Sequence, residues 1–131
     1  MQPKPGMEVP AQWLRFTRAA VGNAIAGRKP GELPPLDLSS GTDFQRSVWW
    51  TLLRIPIGEA QTYGEIAEAI GNPLAVRAVG RACGANPIPL LIPCHRVLAA
   101  NSRLGGFTSG LAWKKKLLRR EGIQFVERGF R

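Results

Sequence analysis

Apolar residues recur at helical spacing early in the chain. Between about Pro10 and Ala26 they are Trp13, Phe16, Ala20, Val21, Ala24 and Ile25, which predicts a helix with Gly27 as its stop. Residues 1–8 carry no such pattern and read as a disordered start. The run from Lys29 to Leu36 holds Pro30, Pro34 and Pro35 and reads as an extended linker. Phe44, Val48, Trp49 and Leu52 then form the stripe of a second helix, starting near Thr42 and ended by Pro56 and Gly58.

The following segment is strongly punctuated. Thr62-Tyr63-Gly64-Glu65 fits a capping box, with Thr as N-cap and Glu three residues on. The short helix that follows would bury Ile66, Ala67 and Ile70 and stop at Gly71. Asn72 and Pro73 would supply the N-cap and first-turn proline of the next helix. There Val76, Val79 and Cys83 form an apolar stripe, while Arg77 and Arg81 share another face with Ala78. Two short helices around a tight turn read as a helix-turn-helix over 62–84. The second helix is rich in small residues, Ala75, Ala78, Gly80, Ala82 and Gly84. These suit either close approach to a DNA groove or tight helix packing, and the pattern leaves both open. Beyond it, Leu90-Leu91-Ile92 looks buried and ends at Pro93. A glycine-rich loop over 105–110 leads to a last helix, with Leu111, Leu117 and Leu118 inward, Lys114, Lys115 and Arg119 mostly outward, and Gly122 as cap. The fold class expected is mainly α: a winged helix-turn-helix domain with a short N-terminal helix and little sheet.

Composition narrows the class. A chain of 131 residues, 44% hydrophobic, is long enough for one domain with its own core. Two cysteines and one histidine are too few for a structural zinc site or a disulfide framework, which favours a reducing cytosol. No targeting stretch or membrane-length apolar run is present, so a soluble intracellular protein is expected. The net charge is +9, and its distribution matters more than its size. From residue 69 to residue 120 there is no acidic residue but nine basic ones, Arg77, Arg81, Arg96, Arg103, Lys114, Lys115, Lys116, Arg119 and Arg120. Charge of one sign repels itself unless a polyanion compensates, and nucleic acid is the leading partner. A basic face kept for solubility is the plainer alternative.

Cys83 lies on an apolar helical stripe and reads as a small core hydrophobe. Cys94 differs: it follows a proline-ended run, precedes the only histidine, His95, and lies in the cationic stretch. Positive charge and a histidine partner favour the nucleophilic thiolate, although residue types alone leave a buried thiol open. The stretch holds no carboxylate to orient His95, so Glu121 or a more distant acid must reach it by folding.

The run Ile92-Pro93-Cys94-His95-Arg96-Val97 resembles the active-site signature of the O6-alkylguanine-DNA alkyltransferases. The resemblance extends from about Leu36 to Gly122. It includes Phe44-Gln45-Arg46-Ser47-Val48-Trp49, Gly58-Glu59, Thr62-Tyr63-Gly64, Arg77-Ala78-Val79-Gly80, Asn86-Pro87-Ile88-Pro89, Gly105-Gly106-Phe107 and Glu121-Gly122, in order. It implies stoichiometric transfer of an alkyl group from O6 of a flipped guanine in duplex DNA to Cys94, without cofactor or metal. O4-alkylthymine is left open as a second substrate. It further implies His95 as base through a water, Glu121 orienting the imidazole, Asn86 bracing the turn, and Tyr63 serving the leaving guanine. Pro89, Val97, Thr108 and Lys114 would line the pocket. Ala75, Arg77, Ala78, Gly80 and Arg81 would face the DNA, Arg77 filling the vacated place in the stack.

The resemblance divides the chain into an N-terminal extension, 1–35, and an alkyltransferase domain, 36–131, with its active-site segment at 86–122. Family members carry an α/β domain before this one. About 35 residues precede Leu36, so the chain reads as a short or excised form without that domain's zinc ligands. Thr108-Ser109-Gly110 departs from a more usual Ser-Gly-Gly, and Phe107 stands where some members have Tyr. A monomer is expected, in the cytoplasm with the nucleoid or in a nucleus. The main alternative is a non-enzymatic alkyltransferase-like lesion sensor, a group that typically lacks the reactive cysteine. A methylation-responsive transcription factor would need a further module, and a thiol hydrolase would leave the basic stretch unexplained.

Overall fold

The computed structural model describes residues 11–29, 36–105 and 110–127. Residues 1–8, the proline-rich residues 30–35 and loop residues 106–109, Thr108 among them, lie outside the described residues, as do the side chains of Trp13 and Phe16. The described elements are α1 (Ala11–Ile25), α2 (Asp43–Leu53), β1 (Gln61–Thr62), α3 (Tyr63–Ala69), α4 (Val76–Gly84), β2 (Val97–Leu98) and α5 (Leu111–Arg120). The molecule is mainly helical with little sheet, as expected. β1 and β2 form one parallel pair, Gln61 opposite Val97 and Thr62 opposite Leu98, which ties the start of the helix-turn-helix to the strand after Cys94.

Two helices begin on reciprocal caps. The Thr62 hydroxyl accepts from Glu65 N at 3.1 Å while Thr62 N donates to the Glu65 carboxylate at 2.9 Å. Thr42 and Gln45 repeat the arrangement at α2. Each box satisfies two otherwise orphaned backbone donors. α2, α3 and α4 then close on one core that includes Val48, Trp49, Leu52, Ile66, Ala67, Val79, Ala82, Cys83, Ile92, Cys94 and Val97. The Trp49 indole N–H is satisfied inside it by Ala82 O at 2.8 Å. A second cluster, Leu98, Leu104, Leu118 and Ile123, lies beneath α5.

The helix at the N-terminus packs on the domain. Ala20 and Ala24 are buried, and the Arg120 guanidinium donates to Ile25 O at 2.6 Å. Gly27 turns the chain with φ +74, so close to α5 that an added Cβ would lie 2.5 Å from Arg120 O.

Three expectations are corrected. Asn72 and Pro73 do not open α4: Asn72 N bonds to Ala67 O at 2.9 Å and Ala75 N to Asn72 O at 3.0 Å. Residues 72–75 are therefore spent on the turn, and α4 starts at Val76 without a side-chain cap. Val76 is not core. The inward stripe is Val79, Ala82 and Cys83, leaving Val76, beside the exposed turn, 40% exposed. In α5 the inward face is Lys114, Leu117 and Leu118, while Leu111 is 39% exposed. The phase changes because the Lys114 ammonium has a partner inside, described below. Phe44, Ile70 and Leu90 are half-buried.

Candidate active site

Pro93 leads Cys94 into a single 3-10 turn, Cys94–Arg96, with Cys94 N bonded to Ile92 O at 2.8 Å and Arg96 N to Pro93 O at 3.0 Å. Asn86 staples the chain just before it. Its Nδ2 donates to Ile92 O at 2.8 Å and its Oδ1 accepts from Ile88 N at 2.9 Å, closing the segment that contains Leu90 at φ +77. Pro89 is exposed on this turn.

Cys94 is buried, and burial raises its pKa against the lowering effects of the Asn86 amide and the Lys114 charge. Burial thus outweighs the cationic stretch that was expected to favour thiolate, because desolvation penalises the charged form of any group. The resting thiol needs a base. Cys83, in the same core, is pushed up to about 12 by burial and by its proximity to Cys94, consistent with a structural residue.

His95 is fully buried. Its Nε2 lies 2.7 Å from Glu121 Oε2. Glu121 accepts further bonds from Arg96 Nε at 2.7 Å, Arg96 Nη2 at 3.3 Å and Gly58 N at 3.4 Å. Burial alone would raise the Glu121 carboxyl, but the hydrogen bonds and positive charge of His95 and Arg96 bring it down to about 2. An ionised carboxylate has no proton to give, so the hydrogen belongs to Nε2 of His95. In the neutral imidazole Nδ1 is then the acceptor, and it has no hydrogen-bond partner among the described residues. Arg96 also donates to Ile55 O at 2.8 Å, joining the end of α2, the cysteine turn and the end of α5.

Lys114 is fully buried, its Nζ donating to Val97 O at 2.7 Å and lying 5.9 Å from the centroid of the Tyr63 ring. Burial lowers its pKa to about 8 against the opposing pull of the two thiols. Tyr63, first residue of α3 and half-buried, is pushed up to about 12 by burial and by Cys83 and Cys94. Its ring borders Gly105, where a Cβ would come within 3.1 Å of it. The fold therefore brings Cys94, His95, Glu121, Asn86, Tyr63, Val97 and Lys114 together from five separate stretches of sequence.

The predicted DNA-facing residues lie on α4, with Ala75 just before its first residue. Arg77 and Arg81 are exposed, and Ala75, Ala78 and Gly80 are half-buried. A Cβ on Gly80 would meet nothing within 4 Å. Packing inside the chain therefore does not require glycine there, whereas Ala82 on the same helix is buried in the core. Sequence reasoning missed Arg96, counted only as one of nine cations. No signal along the chain marks it, because an arginine's need for an anion follows only once it is known to be buried.

The family model described as 6-O-methylguanine DNA methyltransferase, DNA binding domain, matches residues 43–123. The chain belongs to this family. A methylated-DNA–protein-cysteine methyltransferase of Methanosarcina acetivorans is 48% identical over 128 residues, covering 93% of this chain and 81% of the relative. Among solved structures, Mycobacterium tuberculosis OGT in complex with DNA matches with TM-score 0.76 and 46% identity, over 82% of this chain and 66% of that one. The S. pombe Atl1 complex with damaged DNA containing O6-carboxymethylguanine matches with TM-score 0.58 and 28% identity, over 71% of this chain and 85% of that one. No helix among the described residues is long and apolar enough to cross a membrane.

Proposed function

We propose that this family member repairs DNA by moving an alkyl group from O6 of guanine in a duplex onto Cys94, irreversibly and once per molecule. The observation that carries the reading is a buried thiol beside a histidine whose Nε2 is held by an ionised carboxylate. Membership of the family and the names of its relatives supply the substrate class.

Nδ1 of His95 takes the thiol proton through a water. The Cys94 sulfur attacks the alkyl carbon, an S–C bond forms and the C–O6 bond breaks, and guanine leaves with the electron pair. Glu121 stabilises the imidazolium that forms, and Asn86 holds the turn and solvates the sulfur. Tyr63, with its high pKa, keeps its proton and serves the departing base chiefly as a hydrogen-bond donor. Lys114 steadies the Val97 carbonyl beside the pocket, and Val97, Pro89 and Thr108 line it. Arg77 enters the stack as the nucleotide leaves, while Ala75, Ala78, Gly80 and Arg81 lie against the groove. A thioether is not cleaved by any amino-acid side chain, so activity ends with transfer.

Residues 36–131 act as the alkyltransferase domain and 1–35 as its extension, working as a monomer wherever the damaged DNA lies, nucleoid or nucleus. Intact-protein mass spectrometry after incubation with a duplex containing one O6-methylguanine tests the reading. One added methyl group mapped to Cys94, and absent in Cys94→Ser, is the expected result. Tight lesion-selective binding without any mass change would overturn it in favour of a non-enzymatic sensor.

A further inference from the structure

Leu74 is 95% exposed, more than any other large hydrophobic residue among those described. It stands on the turn between α3 and α4, and that turn is well made. Gly71 N bonds to Glu68 O, Asn72 N to Ala67 O and Ala75 N to Asn72 O, all between 2.9 and 3.0 Å. The leucine is therefore held out by the backbone. Val76, at the first residue of α4, is 40% exposed beside it. Arg77 and Arg81 are exposed along the same helix, and no acid occurs from residue 69 to residue 120. An apolar tip followed along the helix by two exposed guanidinium groups complements a surface with apolar walls and anionic rims. The minor groove of duplex DNA is such a surface, with deoxyribose walls and phosphate edges about 6 Å apart.

We propose that Leu74, with Val76, forms an apolar tip at the start of α4 that seats against the sugar walls of the minor groove, next to the step from which Arg77 displaces the damaged nucleotide. The inference rests on the alkyl-transfer reading above and adds a contact to it. Cations supply the salt-dependent part of the affinity. Leu74 supplies a salt-independent part, realised only on duplex, which offsets some of the unstacking that base flipping requires.

The test uses the full chain as wild type, Leu74→Ala and Leu74→Lys. Each is titrated with a labelled duplex carrying one O6-methylguanine over a salt series. Single-turnover transfer is then timed on that duplex and on free O6-benzylguanine. For Leu74→Ala we expect binding weaker by about tenfold at every salt concentration, as loss of a well-buried leucine contact implies. The slope of log K against log salt should match wild type, and the ratio of duplex to free-base rate should fall by a similar factor. Leu74→Lys should steepen the slope by about 0.9, one added phosphate contact. Wild-type affinity and rate ratio in Leu74→Ala would overturn the proposal. So would equal losses on duplex and free base, which would mean that Leu74 only supports the fold. If wild type binds duplex but leaves Cys94 unmodified, the alkyl-transfer reading fails, while the titrations still decide the fate of Leu74.

Discussion

Glu121 is where the chemistry and the stability of this chain meet. One carboxylate, its side chain 1% exposed, takes bonds from His95, Arg96 and Gly58. Glu121→Gln keeps the shape but turns an acceptor-only group into one that also presents N–H donors to two other donors. It leaves the Arg96 guanidinium, itself 10% exposed, without its anion. Breaking a buried pair from one side typically costs about 3 kcal/mol, and we expect a loss of that size in urea unfolding. Transfer to Cys94 should slow by about a hundredfold or more, the usual worth of a correctly held base, in single-turnover assays. Full-rate transfer in Glu121→Gln would remove the His95–Glu121 pair from the mechanism. Cys94 and His95 are legible in the sequence because they are adjacent and their types are chemically specific. Arg96 is not, because nothing along the chain distinguishes a buried cation from a solvated one.

The elements differ in how much of themselves they carry in local sequence. The cap of α3 needs four residues, Thr62 to Glu65, and these form the same contacts wherever the helix is placed. The start of α4 is a different matter. Asn72 and Pro73 have the residue types of a helix start, but the N–H of Asn72 is taken by α3. The phase of α5 also depends on its surroundings, since a lysine turns inward only where Val97 O is there to receive it. The docking of α1 rests on Gly27, whose positive φ and contact with Arg120 O both exclude a side chain. Gly27→Ala should cost about 2 kcal/mol, combining the left-handed backbone penalty with the clash. Faster proteolysis within α1 and a lower urea midpoint are the measurements that check this. Unchanged proteolysis would show that α1 does not depend on that approach.

The whole molecule inherits a pH dependence from its buried charges. The folded Glu121 carboxyl titrates at about 2, below its ordinary value of 4.5. A depressed acid adds stability that is fully present above its unfolded pKa and is lost as pH falls toward its folded one. Between pH 4.5 and 2 the wild-type urea midpoint should therefore fall more steeply than that of Glu121→Gln, and parallel curves would contradict the pairing. The sequence by itself determined the helical class, the capping box of α3, the positions of Cys94 and His95, the acid-free stretch and, through its motifs, the family. These are local or additive properties: periodicity, reciprocal backbone caps, residue chemistry and summed charge survive without knowledge of contacts. Only the tertiary structure decided which groups share a desolvated space. It set Lys114 inside and Val76 outside, gave Arg96 its anion 25 residues away, and let burial outweigh cationic charge at Cys94. Desolvation and pairing depend on what lies across the core, and that information exists only once the chain has closed on itself.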